Sequence, residues 1–163
     1  MGDSVCSFSG HRQIYLMHEE TLPKKLDEVL DILIKSGVSR FISGGAMGFD
    51  LLAAELVLQK RHIHPHIKLS MILPCRDQTA RWPRAAQLRY RAVLNSADDV
   101  SYITEKYDAF CMHLRNRALV DSSDILVCYL VRESSGTGHT KNYAIEKNLK
   151  VLNLADLIGG EAI

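Results

Sequence analysis

The tetrapeptide Ser9-Gly10-His11-Arg12 sets a hydroxyl, a glycine, a titratable ring and a permanent cation side by side. Gly10 permits close backbone approach, and the two residues after it supply charge, so the set suits the capture of an anion. On its own it is equally a tight turn with a solvated arginine.

A second stretch, Ser43-Gly44-Gly45-Ala46-Met47-Gly48-Phe49-Asp50, runs into helical periodicity. Gly44 and Gly45 let N–H groups turn inward, and the following helix aims its unpaired donors and positive dipole end at the same place. That is how a phosphate cradle is built, and a side chain at Gly45 would fill the phosphate's space. The stretch lacks the Gly-Lys-Ser/Thr of a P-loop and the spacing of G-x-G-x-x-G. Asp50 either accepts from a ribose hydroxyl or complements the helix dipole.

The third stretch is Ser134-Ser135-Gly136-Thr137-Gly138-His139-Thr140, whose hydroxyls and glycines again precede a helix and make a second anion-receptive loop. Two such loops suggest a ligand with separated polar groups, such as a nucleotide. Positive charge gathers at Arg76, Arg81, Arg84, Arg89 and Arg91, where Trp82 and Tyr90 either stack on a base or belong to the core. Arg115 and Arg117 flank Asn116; an arginine here either pairs with Asp121 or Asp124 or reaches a phosphate. His62, His64 and His66 alternate around Pro65 with no carboxylate or thiol cluster beside them, so no metal site is expected. No Gly-x-Ser-x-Gly elbow and no informative Cys/His spacing is present, and no catalytic residue is assigned.

These loops need a scaffold that brings them to one edge. Short apolar runs at Val5 to Ser9, Arg40 to Ser43, Lys68 to Leu73, Val100 to Ile103, Ile125 to Leu130 and Val151 to Leu154 are mostly too continuous for half-exposed strands and predict buried parallel ones. Helical stretches alternate with them. The first carries Leu22, Leu26, Val29, Leu30 and Leu33 on one face, with Thr21 as cap and Gly37 past its end. The others run from about Gly48 to Arg61, Trp82 to Ser96, Asp108 to Ser122 and Thr140 to Asn148. Strict alternation predicts an α/β fold with a mostly parallel sheet, helices on both faces and ligands beyond the carboxyl ends of the strands.

The chain has 163 residues, 47% hydrophobic and 24% charged, which fits one globular domain over 1–163. Twenty basic and nineteen acidic side chains leave a net charge of +1, so nucleic acid is an unlikely partner and no membrane surface is expected. No long apolar stretch or signal pattern is present, and the protein is expected to be cytoplasmic. Cys6, Cys75, Cys111 and Cys128 are widely spaced and read as free thiols.

Taken in order, Cys6 through Arg12, Ser43 through Asp50, Leu73-Pro74 followed by Gln78 and Arg81-Trp82, Arg115-Asn116-Arg117, and Gly136-Thr137 through Thr140 resemble the SLOG superfamily in its YpsA-like branch. The resemblance implies a Rossmann-like three-layer sandwich related to LOG phosphoribohydrolases and DprA, often self-associating as a homodimer, with the ligand across the glycine loops. It brings Pro74, Gln78 and Trp82 into the candidate ligand set, with Ser9 through Arg12, Ser43 through Ala46, Gly48, Asp50, Arg115, Asn116, Gly136 through Gly138, and Thr140. The ligand so implied is a small phosphorylated compound, a nucleotide or an ADP-ribose-like molecule, with no cofactor required.

LOG-type cleavage of an N-glycosidic bond depends on a glutamate shortly after the Gly-Thr of the last loop. Here Thr140 is followed by Lys141, Asn142 and Tyr143, and the next acid is Glu146. An amide cannot act as a general base. The expectation is therefore a nucleotide-binding or sensing domain, against two alternatives: a nucleoside 5′-monophosphate phosphoribohydrolase using Asp50, Glu55 or Glu146, and DprA-like binding of single-stranded DNA.

Overall fold

A computed structural model describes residues 3–159. Residues 1, 2 and 160–163 of the expected single unit lie outside the described residues. The strands are β1 (Ser4–Gly10), β2 (Val38–Ser43), β3 (Lys68–Leu73), β4 (Asp99–Tyr102), β5 (Ile125–Tyr129) and β6 (Lys150–Asn153). The helices are α1 (Thr21–Lys35), α2 (Phe49–Ile63), α3 (Arg84–Ser96), α4 (Cys111–Asp121), α5 (Gly136–Glu146) and α6 (Leu154–Gly159), with a short 3-10 turn at Leu16–His18.

All six strands join one sheet in the order β4-β3-β2-β1-β5-β6, and every pairing is parallel. The central strands are buried along most of their length, which is why they read as continuous apolar runs rather than as alternation. α1 packs between α2 and α6, and α2 also meets α3, while α4 and α5 pack on each other. The interior splits accordingly. A large apolar cluster including Phe8, Leu26, Phe41, Phe49, Val57 and Tyr90 lies with α1, α2, α3 and α6. A small one of Val120, Leu126, Cys128, Leu130 and Ala144 lies under α4 and α5.

Thr21 does not cap α1: it is the first helical residue, Glu20 precedes it, and no side chain caps that end. The helix is held instead by its buried face and by Lys60 of α2, which reaches Asp27 and Asp31 at 2.9 and 2.8 Å. All four cysteines are free and buried.

Candidate functional site

Successive connections step from β1 outward to β4, and the chain then crosses back to place β5 on the other side of β1. This reversal opens a crevice at the carboxyl ends of β1 and β5, the place where open parallel sheets bind ligands. A cavity of about 360 Å³ lies there. The end of β1 and the loop after it line the cavity with Ser9, Gly10, His11 and Arg12; the β2–α2 connection adds Ala46 and the first turn of α2 Asp50; α4 adds Arg115 and Asn116; the first turn of α5 adds Gly136 and Thr137. The sequence thus names ten of the lining residues. It misses Gln13, Met112 and Arg132, and names Ser135 in the third loop without placing it in the ligand set. Arg132 had a usable signal, a lone cation just past the end of a strand.

The first loop is fixed by its own histidine. Nε2 of His11 accepts from the N–H groups of Val131 at 2.9 Å and Arg132 at 3.2 Å, while its carbonyl accepts from Phe49 N at 3.1 Å. An imidazole that accepts at Nε2 is neutral with its proton on Nδ1. Burial, and then the Arg132 charge, hold its pKa below the ordinary value.

Asp50 lies almost wholly buried at the floor, with Oδ1 accepting from Gly10 N at 3.1 Å. Burial raises its carboxyl to about 6, against the opposing pull of Arg115, the N–H groups of Gly10 and Ala46, and Arg12. Arg115 is buried too. It donates through Nη1 to the Gly44 carbonyl and through Nε to Asn116 Oδ1 at 2.8 Å. It pairs with neither Asp121 nor Asp124: the first accepts from Tyr143 Oη at 2.7 Å and the second from Val5 N at 2.9 Å. Burial lowers the Arg115 pKa, which Asp50 partly offsets.

The Ser43–Gly48 loop is not the open cradle that its glycines suggest. Ser43 Oγ donates to the Asp50 carbonyl at 2.8 Å and accepts from Gly45 N at 3.2 Å, so that donor is already used. A Cβ on Gly44 would strike the Arg115 guanidinium. Gly45 has φ of +70°, and a Cβ there would lie 2.7 Å from Leu73, inside the core rather than in a phosphate's space. Gly48, at φ of +80°, lets the loop touch the Arg12 carbonyl. These glycines serve packing.

The start of α5 is open by comparison. Ser135 caps it, accepting from Gly138 N at 3.1 Å and donating to the Arg132 carbonyl at 2.6 Å. The N–H groups of Gly136 and Thr137 keep no intrahelical partner. A Cβ on Gly136 would meet nothing within 4 Å, whereas one on Gly138 would collide with the Glu133 carbonyl. Gly136 therefore borders free space next to two unpaired donors, with Arg12 and Arg132 on the same cavity.

Pro74, Gln78 and Trp82 do not reach this cleft. They lie past β3, where Gln78 Nε2 donates to Tyr90 Oη at 3.1 Å and Trp82 meets the Tyr90 ring edge-on at 5.3 Å. With both rings buried, neither offers a stacking face to a base.

A second cavity of about 430 Å³ lies between α4 and α5 and shares Met112, Asn116 and Gly136 with the first. Thr140, Asn142 and Glu146 line it. Glu55 lines neither, being held by Arg89 at 2.6 and 2.9 Å, and is removed from the candidate acids. Among the described residues no group of three His, Cys, Asp or Glu converges, and no helix is long and apolar enough to cross a membrane.

A six-stranded parallel sheet with a polar cleft at its reversal point defines a Rossmann-like α/β protein. Residues 8–154 match the YspA SLOG family, and the chain belongs to it. It is 35% identical over 111 residues to a UPF0398 protein of Halalkalibacterium halodurans, a match covering 66% of this chain and 59% of that relative. This chain thus spans under two thirds of that relative's length. It is 29% identical to the uncharacterized SPbeta prophage-derived protein YoqJ of Bacillus subtilis, over 78% of this chain and 84% of that one.

Among solved structures, DNA processing protein A of Helicobacter pylori superposes with a TM-score of 0.65 at 20% identity, over 91% of this chain and 63% of that one. That structure is described for its single-stranded DNA binding mode. This corrects the expectation that nucleic acid is an unlikely partner. Whole-chain charge is a poor guide here, because contacts with a phosphate backbone depend on local cations, and a fold shared with a DNA-binding protein carries a net charge of +1 in this chain.

Proposed function

We propose that the cleft binds a small phosphorylated ligand of the nucleotide or ADP-ribose type, and that the chain acts as a ligand-binding or sensing unit without a strong catalytic apparatus. The observation that carries this reading is the free space at Gly136, beside the unpaired N–H groups of Gly136 and Thr137 and within reach of Arg12 and Arg132. A phosphate there meets donors, a helix dipole and two guanidinium groups at once. The lining of the cleft supports binding over turnover: Asp50 is its single carboxyl among the described residues, with one oxygen already accepting from Gly10 N, so no acid–base pair faces the ligand, and Asn142 stands where a carboxylate would be useful.

Titration calorimetry with nucleoside monophosphates, ADP-ribose and the matching nucleosides tests the reading. Phosphorylated ligands should bind and nucleosides should bind much more weakly, and Gly136→Val should remove the difference. Binding that ignores the phosphate would refute it.

A second reading, single-stranded DNA binding, draws support from the fold shared with DNA processing protein A and from Arg12, Arg117 and Arg132 lining the two neighbouring cavities. Fluorescence anisotropy with a thymidine oligomer separates the two. DNA binding should weaken steeply with salt, roughly in proportion to the phosphates contacted, whereas a single-phosphate ligand should show a shallow slope.

A further inference from the structure

The α4–α5 cavity adjoins the phosphate position and has the volume of a small-molecule site, which commonly spans roughly 300–1,000 Å³. Met112 and Ala109 give it apolar wall. Of the polar lining, Asn116 accepts from Arg115, Thr140 donates to the Gly136 carbonyl and Arg117 lies over Tyr143, which leaves His113 and His139 at the wall and Asn142 and Glu146, four residues apart and so on one face of α5. Tyr143 is already occupied, with Arg117 over its ring at 4.7 Å and its hydroxyl donating to Asp121. Asn142 and Glu146 have no hydrogen-bond or ion-pair partner among the described residues.

An amide offers both a donor and an acceptor, whereas an ionised carboxylate only accepts. The edge of a planar base that matches this pair carries a carbonyl oxygen next to two N–H donors. Guanine has that edge: the amide donates to its O6, and the carboxylate takes N1–H and the 2-amino group as two parallel bonds. Adenine turns a bare ring nitrogen where guanine has N1–H, so the carboxylate would face another acceptor, an unpaired arrangement that costs binding. Resting on the phosphate reading above, we infer that the α4–α5 cavity holds the base of the nucleotide and that Asn142 and Glu146 select a 6-oxopurine, guanine in first place.

The test is calorimetry with ribose 5-phosphate, guanosine monophosphate and adenosine monophosphate, on the unmodified chain and on Glu146→Gln and Asn142→Ala. Both positions are exposed on α5, and circular dichroism checks that each variant folds. The guanosine compound should bind at least tenfold tighter than the adenosine compound. Each substitution should level the two while leaving ribose 5-phosphate unchanged. Equal affinities in the unmodified chain, or a guanine preference that survives both substitutions, overturns the inference. If ribose 5-phosphate binds and neither base adds affinity, the base site alone is wrong. If ribose 5-phosphate and both nucleotides fail together, the phosphate reading is wrong and the base site falls with it.

Discussion

His11 and Val131 are joined by a 2.9 Å hydrogen bond in which a side-chain nitrogen accepts from a backbone N–H, fastening the loop after β1 to the loop after β5 across the cleft. The bond requires a neutral imidazole. Because the folded pKa is depressed, this contribution to stability is complete above the ordinary value of about 6.5 and is lost as pH falls through the folded value. His11→Phe should cost about 1–3 kcal/mol near neutrality by leaving two N–H groups without an acceptor. Urea unfolding of both proteins between pH 5 and 8 should show their difference shrinking on the acid side; a constant difference refutes the latch.

Asp50 titrates with the opposite sign. Its folded value of about 6 lies above that of an ordinary aspartate, so the stability it contributes is present at low pH and is lost as pH rises through that value. An anion in the same cavity favours the protonated form further. Sulfate, whose charge is constant in this range, should bind more weakly as pH rises from 5 to 7, and Asp50→Asn should flatten the profile. The same slope in Asp50→Asn would assign the proton elsewhere.

The two glycine loops should respond differently to the same substitution. Gly45→Val forces a β-branched residue into positive φ against Leu73, Met71 and Tyr90, and should destabilise the fold by about 2–5 kcal/mol. Gly136→Val points into open space and should change stability by no more than roughly 0.5 kcal/mol, yet block the phosphate. Thermal melts paired with calorimetry decide this, and a stable Gly45→Val that merely loses ligand would restore the cradle at Gly45.

Arg115 should prove structural before it proves a ligand reader. Arg115→Ala leaves the buried Gly44 carbonyl without its donor and removes the charge that most favours ionised Asp50, a loss of about 1–3 kcal/mol. Arg115→Lys should recover little, because a lysine cannot donate to Gly44 and Asn116 with a planar fork. Denaturant midpoints measure both, and full stability of the alanine variant would leave Arg115 free for the ligand.

Much of the scaffold is legible in the sequence because buried parallel strands are written as unbroken apolar runs: β3 is read at Lys68–Leu73 to the residue. Element starts are harder. α5 is read from Thr140 but begins at Gly136, since glycines look like loop until the Ser135 cap fixes them. α3 is read from Trp82 but begins at Arg84, with Pro83 extended before it. α6, at six residues, is too short to show a period and exists through its packing on α1. In the site, the glycines of the Ser43–Gly48 loop are visible, but their task is set by Arg115, 71 positions away, and no local pattern carries that.

The unequal split of the interior bears on how the molecule breathes. α4 and α5 rest on the five-residue cluster, while α1, α2, α3 and α6 share the large one. Amide protons of α4 and α5 should accordingly exchange through openings smaller than global unfolding. One wall of the cleft is then anchored in a well-filled box and the other in a thin layer, so that a ligand bound as proposed should slow exchange in α4 and α5 and leave α1 and α2 as they were.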